Sequence, residues 1–482
     1  MHRARTKKQE LRRRLLTYTI APIVIGVGVS VLVMYIIGYR YNSTDQTVDQ
    51  GGLVQFATKP TGAQVEVDGA KLRRATNTRL DASSGTHTVT MTKAGYRPWQ
   101  KTVSVEPGSI LWLDYVRLIP ETVKTTEVLN LKSAEQTVSL YEKDTMLIME
   151  NKNQPVINVV SFLPEPTIKK VELPRELVKN LPTSSYSIDS VDGSGRYVIM
   201  KTSGAQTNWF FVDLSEPSRS LNISTIATAD MANVQFHGND ARKLYVLSKD
   251  TLRSVDLSER TTSAPLISKV DTISVSPKGV VSYVSKLDDK TGQRVVGYYT
   301  SGASKPRIIK RIYDDGKQPV EFKIDHYRDD RYGVVRVGNN LDILSLRAES
   351  SDAPDDPRIE NLSTITLPEG SDYLSFSPKG RFILSQKAST FTTYDLELMK
   401  VTTSSLKGDT SVNRQLLWLD EHHIWSDRGG KLTMYEFDGE NAQILTKVKP
   451  GTAALLSKNG KHLWYIDSSK RDLAIKSAEL TD

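Results

Sequence analysis

The sequence predicts an all-β ectodomain, a small β-sandwich followed by a β-propeller of seven or eight blades, behind one N-terminal transmembrane α-helix. Three observations predict it. The 25 consecutive residues from Leu15 to Tyr39 carry no charge. Beyond a polar linker, short apolar runs are punctuated by Gly and Pro and never settle into a helical period. From Pro120 onward a turn recurs at a mean spacing of about 45 residues, the repeat length of propeller blades.

The helix comes first. At about 1.5 Å per residue the uncharged run reaches roughly 37 Å, which crosses a hydrocarbon core of about 30 Å with some tilt. Arg12, Arg13 and Arg14 precede it and only Arg40 follows closely, so the positive-inside rule makes residues 1–14 a cytoplasmic tail. The bulk of the chain is then extracytoplasmic, held by a single-pass anchor in the cell membrane. A cleaved signal peptide has an apolar stretch of only about 7 to 15 residues and a small-residue cleavage site. Here the run is longer and ends Ile36-Ile37-Gly38-Tyr39-Arg40-Tyr41.

The tail also accounts for the charge of the chain. Its seven Lys and Arg against the single Glu10 supply +6 of the net +8, so no basic surface is left to argue for nucleic acid. Some 14 residues are too few for a cytoplasmic signalling domain, which weakens a transmembrane sensor. Cysteine is absent, which excludes disulfides, cysteine-ligated metals and acyl anchors and points to a bacterial envelope.

Residues 40–51, polar apart from Val48 between Asn42 and Gly51, read as a short exposed linker. Residues 52–119 then alternate, with Leu53, Phe56, Val65, Val67, Val89, Met91, Val103, Val105, Leu111, Leu113 and Val116 set between turn residues; antiparallel strands are expected. Pro60 fixes φ at the first corner, Gly62 permits positive φ, Ala63 is small enough to pass beneath a neighbouring strand, and Asp68-Gly69 is a hairpin signal. The strings Lys59-Pro60-Thr61-Gly62-Ala63-Gln64-Val65-Glu66-Val67-Asp68-Gly69, Ser84-Gly85-Thr86-His87-Thr88-Val89 and Lys93-Ala94-Gly95-Tyr96 closely resemble the PEGA domain, with Thr61 standing for the family's Glu. The resemblance implies a small β-sandwich of exported, surface-associated proteins, an accessory module with no catalytic residues. Tyr96, Trp99 and Trp112 are candidates for a sugar-binding platform, although packing in the core or at an edge is the expected use of aromatics in so small a domain.

In residues 120–482 the turns Ser276-Pro277-Lys278-Gly279, Ser377-Pro378-Lys379-Gly380 and Ser457-Lys458-Asn459-Gly460 recur, and Asp192-Gly193-Ser194-Gly195 has the same shape. Weaker copies lie near Asp144, Asp240, Asp330 and Glu421, and several repeats close on Asp-Leu, as at Asp213-Leu214, Asp256-Leu257 and Tyr394-Asp395-Leu396. These resemble the blades of TolB-like and WD-repeat-like propellers, Gly195, Gly279, Gly380 and Gly460 marking the turns. The last repeat has three strands, and 127–131 is placed to supply its fourth and close the ring; eight blades are slightly favoured over seven. The segment from Arg347 to Asn361, rich in Asp and Pro, reads as an exposed loop.

No catalytic, cofactor-binding or metal-ligating residue is assigned. A Gly-x-Ser-x-Gly elbow, a His-Glu-x-x-His helix and a phosphate loop are absent, and the adjacent His422 and His423 on a strand point to opposite faces. The expected role is non-catalytic: a membrane-anchored cell-envelope scaffold or receptor that presents its sandwich and propeller to an envelope protein or cell-wall glycan. The alternative is an envelope carbohydrate-active enzyme in which acidic pairs such as Asp288-Asp289, Asp314-Asp315 or Asp329-Asp330 converge in the propeller channel.

Overall fold

The computed structural model describes the chain apart from residues 1–6, 43–46, 141–142, 180, 182–184, 205, 228–229, 239, 289–292, 314–316, 349–356, 407–413, 468–472 and 482. It divides into two units, one ending at Thr122 and one beginning at Val123.

In the first unit a helix runs Lys7–Ile36. Its segment Leu15–Ile36 has a mean hydropathy of 2.3 and is exposed along its length, and this helix is long and apolar enough to cross a membrane. Arg12, Arg13 and Arg14 fall in its early turns, continuous with the apolar segment. The linker pairs with itself. Its backbone folds into an antiparallel ribbon in which Tyr39 pairs with Gln50 and Asn42 with Thr47, so the chain turns back on itself. Gly51 consequently lies beside Gly38, its N–H donating to the Gly38 carbonyl at 3.0 Å.

The sandwich begins at the next residue. A three-stranded sheet, ordered Thr78–Ala82, Gly52–Lys59, Ile110–Arg117, faces a four-stranded sheet, ordered Ala70–Lys71, Gln64–Val67, Gly85–Thr92, Trp99–Val105. Alternation along Gly52–Lys59 and Trp99–Val105 sends every second side chain inward, where Val54, Phe56, Val65, Val89, Met91, Trp99, Leu113 and Val116 form one core. One pairing departs from the antiparallel expectation. Gly52–Lys59 and Ile110–Arg117 run parallel, with Leu53 opposite Ile110 and Phe56 opposite Leu113, because the chain visits the other sheet between them.

The second unit is a ring of eight four-stranded antiparallel sheets among the described residues. Seven are continuous in sequence, spanning 136–172, 185–222, 231–262, 270–312, 320–366, 373–405 and 417–447. The eighth joins Leu455–Leu456, His462–Asp467 and Leu473–Glu479 to Lys124–Leu131, which pairs with the last strand and closes the ring. The first strand of each blade is innermost and the fourth outermost, apart from the eighth, whose outermost strand is the one supplied from the N-terminal side. Residues 347–348 and 357–361 of the expected loop lie in the strands of the long hairpin of the fifth blade, and 349–356 fall outside the described residues.

Packing between neighbouring blades makes the core. Leu147, Ile157, Val198 and Phe210 join blades one and two, and Val284, Val296, Phe322 and Val335 join four and five. Met146, Val160, Phe162, Trp464 and Ile466 join the first blade to the last. Three glutamines stitch adjacent blades as a strand would, giving and accepting peptide hydrogen bonds. Gln136 bonds both ways with Ile188, Gln235 bridges Ile273 and Val275, and the fully buried Gln386 bridges Arg414 and Leu416.

Candidate interaction surface

The sequence-marked residues of the sandwich are turn builders. Gly62, Gly69, Gly85 and Gly95 all have positive φ, Ala63 is fully buried, and Lys93 donates to the Thr61 carbonyl at 2.7 Å. Pro60 follows a cis peptide and its carbonyl accepts from Thr58. Asp68, also at positive φ, forms with Gly69 the two-residue turn between Val67 and Ala70. Its carboxylate does more than turn the chain. Oδ1 accepts from the Thr88 N–H and Oδ2 meets His87 Nδ1 at 2.6 Å. Those hydrogen bonds hold Asp68 below its ordinary value; burial alone would lower His87, but its bonds to Asp68 and to the Ser83 carbonyl leave it raised. The three aromatics do not form a platform: Tyr96 and Trp99 are buried, whereas Trp112 stands 47% exposed on the other sheet.

In the propeller the repeated turns join the first and second strands of a blade. Gly195, Gly279, Gly380 and Gly460 have φ between 68° and 81°. The Ser that opens three of these turns accepts from the strand beyond: Ser276 from Val280, Ser377 from Phe382, Ser457 from His462; Asp192 does the same for Tyr197. Ser194, within Gly193-Ser194-Gly195, donates its hydroxyl to Asp192, a turn-closing bond. The closing Asp-Leu has an equally local cause. Asp213, Asp256 and Asp395 each cap the following turn through two backbone N–H groups, and Arg196, Lys243 and Arg381 at the start of the second strand pair with them. Two conspicuous repeat features are thus one device, an ion pair locking two turns at the same end of a blade.

What single-residue reading missed is that these turns also grip one another. Glu421, in the turn of blade seven, accepts from Ser377 Oγ and from the Lys379 and Arg381 N–H groups in the turn of blade six. Asp144, in the turn of blade one, accepts from the Lys458 N–H in blade eight. Asp325 in blade five is close enough to Lys278, in the turn of blade four, to feel its charge. The recurring signal was present: an acidic residue near the first turn of a blade.

This turn end is electrostatically unusual around blades five to seven. Burial pushes the Asp325 carboxyl up to about 6 and Glu421 upward, and pushes His326 down to about 4 and His422 to about 3. His422 packs its ring against Phe382 and Phe437, while His423 bonds Asp420 through Nδ1, so the neighbouring imidazoles serve different partners. Arg381 forks onto Asp395 and reaches Glu397, which also binds the Tyr327 hydroxyl and Arg328. Beside that network the turn after Asp395 lifts Leu398 and Met399 into solvent, 53% and 64% exposed, with Val401 following.

Of the acidic pairs, Asp288, Asp329 and Asp330 lie among the described residues. Asp288 ends the second strand of blade four and Asp330 begins the second strand of blade five, at opposite ends of their blades; Asp289, Asp314 and Asp315 lie outside the described residues. On the innermost strands Asp189, Asp271 and Glu321 are each paired across to a cation, Lys201, Lys286 and Arg336.

Residues 52–118 match the PEGA domain family. That segment is a PEGA domain. No curated protein matches the chain. Among solved structures, the chain is similar to the C-terminal WD40 domain of Sif2 at 8% identity, covering 73% of this chain and 98% of that one with a TM-score of 0.48. It is also similar to apo AztD from Citrobacter koseri, at 10% identity, 81% and 96% coverage and a TM-score of 0.41. A third, an oligogalacturonate lyase in complex with manganese, has 9% identity, 73% and 99% coverage and a TM-score of 0.39. The propeller assignment rests on this chain's own eight sheets and their closure.

Proposed function

We propose that the chain is a membrane-anchored scaffold or receptor of the cell envelope, with its N-terminus cytoplasmic, its PEGA domain and propeller outside, and a non-catalytic role. The propeller's turn end, around blade six, receives another envelope protein. The observation that carries this reading is the exposed Leu398-Met399 tip framed by Arg328, Glu397 and Lys400: an apolar anchor inside a charged rim is the composition of a protein contact. The half-buried ion pairs beneath it fix the tip on a rigid base, which lowers the entropy lost on binding.

The chain has no cysteine, so Met399→Cys introduces a unique thiol for crosslinking in intact cells. A protease-sensitive adduct from position 399, absent from Lys170→Cys on the outer strand of blade one, supports the reading. Equal adducts from both positions, or none from either, sink it.

A further inference from the structure

The geometry points to a second contact of this chain with the bilayer: the PEGA domain seats on the membrane surface through Leu53, Ile110 and Trp112, with the lipid headgroup region as the occupant. The inference rests on the reading of Lys7–Ile36 as a membrane anchor.

The junction at the end of that helix is built without slack. Gln50 Nε2 donates to the Ile37 carbonyl at 2.9 Å, the Gly51 N–H donates to Gly38, and the Gly108 N–H donates to Gly51. A Cβ on Gly51 would lie 2.4 Å from the Ala82 carbonyl oxygen, and one on Gly52 would lie 2.6 Å from Val105, so the backbone passes where only glycine fits. The sandwich therefore starts where the membrane helix stops.

Between them lies a groove of about 610 Å³ whose lining includes Ile36, Ile37, Leu53 and Ile110 on the apolar side and Asp81 and Ser109 on the polar side. Ile110 thus shares one cavity with the last apolar residues of the helix. It is also 50% exposed, on the outer face of the three-stranded sheet, with Leu53 opposite and Trp112 next along that face. The following outward residue on the strand is Asp114, and opposite Trp112 lies Gln55. At the helix end the outer face therefore carries Ile110 and Leu53 with Asp81 at its edge, and the next row carries Trp112 with Gln55 and Arg79. At about 3.3 Å per residue, Trp112 stands up to roughly 7 Å and Asp114 up to roughly 13 Å beyond the Ile110 row. The interfacial layer of a bilayer is about 5 to 7 Å thick on each side of the hydrocarbon core, so a strand standing along the membrane normal keeps Trp112 within it and carries Asp114 beyond it. Tryptophan is the side chain most at home at that depth, its ring in the apolar boundary and its N–H among headgroups.

The test uses the full chain in phosphatidylglycerol–phosphatidylethanolamine nanodiscs with doxyl lipids as quenchers. Unique cysteines replace Val27 in the helix, Ile110, and Thr102 on the exposed face of the other sheet, each carrying an environment-sensitive fluorophore. Quenching at positions 27 and 110 with none at 102 is expected. If position 27 is unquenched, the anchor reading fails; if 27 is quenched while 110 resembles 102, the seating fails. A second measurement leaves Ile110 untouched: brominated lipid should quench part of the native tryptophan emission, and Trp112→Phe should abolish that part. Retention of the quenched fraction in Trp112→Phe overturns the proposal.

Discussion

The PEGA domain and the propeller are both all-β, yet they hold themselves together differently. The sandwich has one core between two sheets, and its marked turns stand free: a Cβ on Gly69, Gly85 or Gly95 would meet nothing within 4 Å. The propeller has a chain of inter-blade cores, and its turns press on one another: a Cβ on Gly380 would lie 2.0 Å from the His326 carbonyl oxygen, and one on Gly238 2.6 Å from Gly279. A motif glycine in the sandwich answers to local backbone geometry. One in the propeller answers to the next blade as well.

The largest effect follows from closure. A chain ending at Asp467 loses the strand Leu473–Glu479, which pairs with both His462–Asp467 and Lys124–Leu131. It also loses Ile475 from the core that joins the last blade to the first. The propeller should lose its cooperative thermal transition while limited proteolysis still yields an intact PEGA fragment. Loss of both would mean that the sandwich depends on the propeller for its stability.

Next comes the contrast between glycines. Gly69→Ala should cost about 1 kcal/mol, the penalty of a left-handed residue with room around it. Gly380→Ala bears the same penalty and must also displace the turn of blade five, so about 3 kcal/mol or more is expected. Equal midpoint shifts in denaturant unfolding would erase the distinction between free and interlocked turns.

The two regions also differ in how far their sequences disclosed them. The sandwich turns were legible because Pro60, Gly62 and Asp68-Gly69 act on their own backbone. Blade turns were legible for the same reason, and 127–131 reads as the closing strand because the final repeat is one strand short; the observed strand is Lys124–Leu131. What stayed hidden depends on partners distant in sequence. Glu421 marked a turn, but nothing in its neighbourhood announced that it would bind Ser377, and nothing near Gln136 or Gln386 announces their bonds to the next blade. The segment at 40–51 reads as an exposed linker because polar composition says nothing about two short segments pairing. Trp112 read as a residue for packing because strand alternation gives a side chain its face and not what covers that face.

The buried carboxyl at the turn end offers a pH-resolved comparison. Asp325 keeps its proton up to about pH 6 in the folded chain and releases it near 3.9 when unfolded, so its contribution falls as pH climbs between those values. His326 opposes it: held down to about 4, it lets the unfolded chain take up a proton that the folded chain refuses as pH falls below about 6.5. Asp325→Asn keeps an acceptor for the His326 N–H and removes the buried charge. It should stabilise the propeller by about 2 kcal/mol at pH 7.5, with a smaller gain at pH 5. Unfolding followed at both values checks this, and a destabilised variant at pH 7.5 would show that Lys278 compensates the ionised form fully.

The smallest effect belongs to the sandwich, where the charge pair is nearer to solvent. His87 is raised, so the stability it contributes is fully present below its unfolded value of about 6.5 and is lost as pH rises through the folded value. Asp68 is lowered, so its contribution is present above about 3.9 and lost as pH falls through its folded value. The pair therefore works between about pH 4 and 6.5. Because the Asp68 side chain is 52% exposed, solvent screening limits the gain, and His87→Gln should cost no more than about 1 kcal/mol at pH 5.5 and less at pH 8.5. The sign is opposite to that of Asp325→Asn, and the pH of greatest effect lies on the other side of 6.5. A scan resolving the two unfolding transitions should show the sandwich midpoint of His87→Gln converging on that of the parent as pH rises, with the propeller midpoint unmoved. A constant offset at all pH values would mean that His87 acts by packing, and that the Asp68 hairpin is held by its backbone bond to Thr88 alone.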